Sequence, residues 1–265
     1  MGWLDLRAGR RKGHEADATA TQMAVAYDAA QRGDHAAALL IWGPLAQAGV
    51  ARAQANVGAC FAEGLGVDCD SALALRWFTL AAEGGDPIGL RNLAALHFRG
   101  EGTEQDFVRA AELYRAASEA GDAPAQDMLS LMLLEGKAIG ADPAEARRLA
   151  EAAAAQGIAS SMTRLGMIFH NALGVECNVR LAADWWTKGA ERGDADGQAM
   201  LGAAYHLGAG VPHDPVMAFA WLLRARHGGS ALAVPFFNVV RDMLSSAQLK
   251  EAEARAAAPL SEAAP

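Results

Sequence analysis

Small, bulky and polar positions recur along this chain at a fixed offset of 36 residues. Glycine returns as Gly49, Gly85, Gly121, Gly157, Gly193 and Gly229. In the same frame run a column of small residues, Gly58, Ala94, Ser130, Gly166 and Gly202, and an all-alanine column, Ala74, Ala110, Ala146, Ala182 and Ala218. Bulky columns stand beside them: Val57, Leu93, Leu129, Leu165 and Leu201 in one, Trp77, Leu113, Leu149, Trp185 and Trp221 in the other. Large residues beside small ones are how packed layers interdigitate. The tryptophan column is therefore expected to wedge into the core. A fixed period of this length marks a repeat architecture.

Each unit reads as a helical hairpin. In the first full copy the helices are expected at about Ala51 to Glu63 and Ser71 to Glu83, joined by Gly64-Leu65-Gly66-Val67-Asp68-Cys69-Asp70. Gly64 and Gly66 suit the left-handed conformation that ends a helix, and Asp70 suits the cap of the next one. Asp86-Pro87, Asp142-Pro143 and Asp214-Pro215 place a cap residue before a proline at the first helical position, where a missing N–H costs nothing. The third and fourth turns, Gly136-Lys137-Ala138-Ile139 and Asn171-Ala172-Leu173-Gly174, each lack one glycine and are expected to differ in shape. One such hairpin cannot bury its apolar face, so the units must stack. After Gly229 the apolar residues Phe236, Val239, Val240, Met243 and Leu244 keep helical spacing, and Ser245 with Gln248 reads as a capping box before a last helix to about Ala257.

Composition narrows the picture. Of 265 residues 52% are hydrophobic but only 6% aromatic, which suits close helix contact and leaves too few aromatic residues to cover sheet faces. The net charge of −8 argues against a nucleic-acid role, which rests on a clustered basic face. No apolar run reaches the ~18 residues a membrane span requires. Trp3, Leu4 and Leu6 precede Arg7, Arg10, Arg11 and Lys12, the reverse of a secretory signal, and this arm suits at most weak peripheral contact with an anionic membrane. Three cysteines, Cys60, Cys69 and Cys177, cannot form an even disulfide framework. A reducing, cytoplasmic location is expected.

Written as a pattern, A-x-x-x-L-G-x-x-Y-x-x-G-x-G-V-x-x-D-x-x-x-A-x-x-W-x-x-x-A-x-x-G, the repeat resembles the Sel-1-like repeat, a relative of the tetratricopeptide repeat. Two copies carry the motif best. One holds Gly58, Phe61, Gly64, Gly66, Val67, Asp70, Ala74 and Trp77; the other holds Leu201, Gly202, Tyr205, Gly208, Gly210, Val211, Asp214, Ala218 and Trp221. The opening segment Ala24 to Gly49 looks like a tetratricopeptide-type first repeat. The resemblance implies an all-α fold: a right-handed α/α superhelical solenoid of about six helix-turn-helix repeats, ending at residues 49, 85, 121, 157, 193 and 229, plus C-terminal capping helices. The solenoid is expected over 18–257, between a disordered arm at 1–17 and a disordered tail at 258–265.

What the resemblance implies about function is non-enzymatic adaptor or scaffold work of the kind found in bacterial signalling and complex assembly. Two alternatives accompany it. One is a structural spacer. The other is a hydrolase of the penicillin-binding or β-lactamase type, known for cysteine-rich relatives, although no Ser-x-x-Lys occurs here. Phosphate-loop, zinc-protease and nucleophile-elbow signatures are also missing from the sequence. No catalytic residue, metal or cofactor is expected, since two imidazoles alone make no structural zinc site. The expected partner is a protein or peptide.

In such solenoids the first helix of each unit lines a concave face. The residue before the Leu-Gly pair and those one and four after it should point inward. These offsets select Asn56, Asn92, Met128, Arg164 and Met200, then Ala62, Phe98, Leu134, His170 and His206, with Arg91, Arg99 and Asn171 beside them. The candidate partner-binding residues are Asn56, Arg91, Asn92, Phe98, Arg99, Arg164, His170 and His206. With arginines concentrated at 91, 99 and 164, the groove is expected to take an acidic peptide.

Overall fold

The computed structural model describes residues 3–260, with side chains from residue 17 onward. The chain forms two compact units. The first, Met1–Ala125, holds helices α1 (Trp3–Gln31), α2 (His35–Gln47), α3 (Ala51–Glu63), α4 (Ser71–Glu83), α5 (Pro87–Arg99), α6 (Phe107–Glu119) and the start of α7 (Ala123–Glu135). The second, Gln126–Pro265, holds the rest of α7, then α8 (Pro143–Ala155), α9 (Ala159–His170), α10 (Val179–Glu191), α11 (Ala195–Leu207) and α12 (Pro215–His227). It ends with a 3-10 turn (Ala231–Ala233), α13 (Val234–Asp242) and α14 (Ser246–Ala257). No strand occurs among the described residues.

Helix ends follow from the local sequence. The carboxylates of Asp70, Asp86, Asp142 and Asp214 accept from amides of α4, α5, α8 and α12, and Ser245 and Gln248 close the capping box of α14. The carbonyl left open at the end of each first helix has its own recurrent donor. Cys69 Sγ donates to the Ala62 carbonyl at 3.2 Å, Gln105 Nε2 to Phe98 at 2.9 Å, Cys177 Sγ to His170 at 3.4 Å, and His213 Nδ1 to His206 at 2.7 Å. The carbonyl only accepts, so Nδ1 of His213 carries the proton. In the third repeat this register holds Ala141, which has no side-chain donor.

Within each hairpin the small column meets a large residue on the second helix. A side chain at Gly58 would strike Phe78, one at Gly166 would strike Trp186, and one at Gly202 would strike Leu222. This places the fully buried wedges one residue after the expected tryptophan column. Trp186 is 2% exposed, whereas Trp77, Trp185 and Trp221 are half-buried and pack on the margins of the clusters. The period identified a large residue at each level, but neighbouring positions on a helix differ by only 100°.

Two other expectations change. The arm expected to be disordered at 1–17 is helical from Trp3, because α1 continues through it. Residues 3–16 contain Gly9 and Gly13 but no proline, and leucine, alanine, arginine, lysine and glutamate, all good helix formers, make up most of the rest. The membrane contact considered for Trp3, Leu4 and Leu6 lies outside the described side chains. The fourth turn keeps the left-handed step without its glycine, with Ala172 at φ 54°. Of the tail, residues 261–265 lie outside the described residues.

Candidate partner-binding groove

The first helices carry a row of carboxylates that join one repeat to the next. Asp86, at the end of its repeat, caps α5 through Gly89 N–H at 2.9 Å and receives Arg52 Nε from α3 at 2.6 Å. Asp122 caps the start of α7 through Ala125 N–H at 2.9 Å and receives Arg91 Nη1 at 2.9 Å. In the second unit the same register holds Asp194, which caps α11 through Gly197 N–H at 2.7 Å and receives the Thr163 hydroxyl at 2.6 Å. Asp127, on α7, draws three donors from α9: Ser160 Oγ at 3.0 Å, Ser161 Oγ and Arg164 Nη1. Arg164 also donates to the Asp127 carbonyl at 3.1 Å.

Beside this row in the second unit lies a groove of about 410 Å³. Its apolar lining is Leu131 and Leu134 of α7, Met167 of α9, Leu173 of the following turn and Leu232 of the 3-10 turn. Ser160, Thr163 and Arg164 complete the lining, with Glu135, Asp194 and Asp196 as its acidic groups. Met167 is 37% exposed, unusual for a large apolar side chain on a helix packed at its other faces. Two consecutive first helices, α7 and α9, and the C-terminal 3-10 turn therefore present a recess with an apolar floor, to which α11 adds Asp196.

The eight candidate residues are divided between the two units. Asn56, Arg91, Asn92, Phe98 and Arg99 are in the first; Arg164, His170 and His206 are in the second. The groove of the second unit includes Arg164 among them. Expectation and structure differ most over the arginines. Arg91 is engaged by Asp122, Arg99 by Glu101 at 2.7 Å, and Arg164 by Asp127. Arg164 and Asp127 are 11% and 12% exposed, so the guanidinium is buried against its own carboxylate. The Arg99 pair is about half exposed on both sides, and such surface pairs contribute little. Glu101, held by that hydrogen bond, has its carboxyl pKa lowered.

The two histidines belong to separate hairpins. The His170 ring lies 5.3 Å from Trp186, with Nδ1 3.0 Å from Asn171 Oδ1. The His206 ring lies 6.1 Å from Phe236 and 6.4 Å from His213, and its Nδ1 is buried without a hydrogen-bond partner. Phe98 meets Phe107 edge to face at 5.1 Å, and Asn56 Nδ2 is also buried without a partner. Among the described residues no group of three or more His, Cys, Asp or Glu side chains could hold a metal ion. The three cysteines are free thiols, and burial raises the pKa of Cys60.

The groove residues not singled out from the sequence were still within reach of it. The inward offset one residue after the Leu-Gly pair selects Leu131 and Met167. Asp194 was hidden by its local role, because a cap residue gives no sign that its second partner lies 31 residues back.

The sequence model of the Sel1 repeat matches residues 51–86, 87–122, 123–158, 159–194 and 195–230. The chain belongs to the Sel1 repeat family. Members generally mediate protein–protein interaction on a fold that is typically a non-catalytic scaffold. A Sel1 repeat protein from Oxalobacter formigenes has a similar crystal structure, with a TM-score of 0.79 at 24% identity over 92% of this chain and 99% of that one. A sel1 repeat protein from Klebsiella pneumoniae superposes at a TM-score of 0.50, with 21% identity over 76% of this chain and 97% of the other. At these identities the likeness concerns the fold. No curated protein sequence matches the chain. As a Sel1 repeat protein it presents the solenoid architecture of helix-turn-helix repeats with a period of about 36 residues.

Proposed function

We propose that this protein is a non-enzymatic adaptor that holds a segment of a partner protein against its first helices, in the groove of the second unit. The observation that carries this reading is the apolar floor formed by Leu131, Leu134, Met167 and Leu173 of two consecutive repeats together with Leu232 of the following 3-10 turn. Partner contacts draw their affinity from desolvated apolar and aromatic anchors seated in recesses of this kind. Burying a leucine-sized side chain there would contribute about 1.5–3 kcal/mol. The free state of all three cysteines supports work in a reducing compartment.

Met167→Glu places a charge on the groove floor without touching the buried row, since Met167 is already partly exposed. In affinity capture from the native cell lysate, read by quantitative mass spectrometry, the folded variant should retain about a tenth or less of a partner held by the wild type. Equal capture of every partner by both proteins would remove the groove from the function.

A further inference from the structure

The repeats themselves define which charge the groove lacks. Asp86 and Asp122 each meet an arginine, at 2.6 and 2.9 Å. Asp194 stands in their register but among the described residues meets only neutral donors, the Thr163 hydroxyl and the Gly197 amide. The reason is a change of residue type. Thr163 is in register with Arg91, and Ser160 is in register with Arg52. Among the described residues Asp196 accepts only the Ser230 hydroxyl, at 2.6 Å, and Glu135 makes no ion pair. Arg164, the one cation of the lining, is neutralised by Asp127. The groove thus sets three carboxylates without a cationic partner among the described residues beside an apolar floor. An attractive partner charge acts more strongly there than in open water, because apolar walls lower the local dielectric.

We infer that the occupant of the groove is a peptide segment of a partner that places leucine-like side chains on the floor and a lysine or arginine between them, against Asp194 and Asp196. This rests on the groove reading above and adds the chemistry of the ligand. An acidic segment would set like charges together, which costs several kcal/mol across an interface.

A random dodecapeptide phage library selected on the full chain reads that chemistry directly. Enriched sequences should combine apolar residues with lysine or arginine, and their affinity, measured by fluorescence anisotropy, should fall from about 50 to about 500 mM NaCl. Ser160→Arg supplies the missing internal cation in the register of Arg52 and should weaken binding about tenfold or more. Asp194→Asn with Asp196→Asn should do the same, since asparagine still caps the helix; this second route keeps the test valid if Ser160→Arg fails to fold. Met167→Glu serves as the control for the groove. Enriched peptides that are neutral or acidic yet lost on Met167→Glu would overturn the cation while leaving the groove reading standing. Peptides indifferent to Met167→Glu, or no enrichment at all, would overturn both.

Discussion

Gly166 and Trp186 show how single residues set the fit of a hairpin. Trp186 is 2% exposed, and a methyl group on Gly166 would enter its ring. Where the small column enlarges to Ala94, the facing register holds Tyr114, and where it is Ser130 the facing register holds Ala150. The large residue shrinks as the small one grows at the Ser130 level, as close packing requires, whereas Ala94 is met by a tyrosine. Gly166→Ala should destabilise the protein by up to about 2 kcal/mol: overpacking costs about 1–3 kcal/mol, offset by the roughly 1 kcal/mol better helix propensity of alanine. Adding Trp186→Tyr reproduces the Ala94 and Tyr114 pairing of the second repeat. A double-mutant cycle by urea denaturation should then show a coupling of about 1 kcal/mol between the two sites. Strictly additive effects would mean that the columns do not compensate each other.

Elements are where sequence and structure agree most closely, and the reason is that helix boundaries here depend on local chemistry. The proline after Asp86, the glycine at 64 and the paired Ser245 and Gln248 act within a few residues of themselves, so α3, α4 and the start of α14 were readable. Relations across repeats were not. The partners of Arg91 and Arg164 lie 31 and 37 residues away, and no local signal distinguishes a bridging arginine from one that faces a ligand. The groove was legible as a set of inward offsets but not as a charge. The fourth turn shows the local rule under strain. Ala172 takes φ 54° where Gly64, Gly100, Gly136 and Gly208 stand in the other repeats. Left-handed backbone costs a non-glycine residue about 1 kcal/mol or more. Ala172→Gly should therefore stabilise the protein by about 0.5–1 kcal/mol after the greater freedom of glycine in the unfolded chain is subtracted. Thermal denaturation should show a higher midpoint, and a lower one would mean that the turn is not strained.

At the scale of the molecule, stability in a repeat protein is close to a sum of repeats and of interfaces between neighbours, so a broken interface should act regionally. Asp127 is the sharpest place to test this, because one carboxylate receives Ser160, Ser161 and Arg164 from the next first helix. Asp127→Ala leaves the guanidinium of Arg164, 11% exposed, with only a carbonyl. Removing one partner of such a pair costs about 3–5 kcal/mol, mostly through the uncompensated charge that remains. Asp127→Asn keeps one acceptor oxygen for a hydroxyl and should fall between Asp127→Ala and the wild type. The loss should be confined largely to the second compact unit, whose core includes Ile168, Leu165 and Trp186. Hydrogen exchange read by mass spectrometry should show α8, α9 and α10 opening faster in the variant, while α3, α4 and α5 keep their wild-type protection. Equal loss of protection in both units would mean that the chain unfolds as one cooperative body. The carboxylate row would then hold the whole molecule together instead of one interface within it.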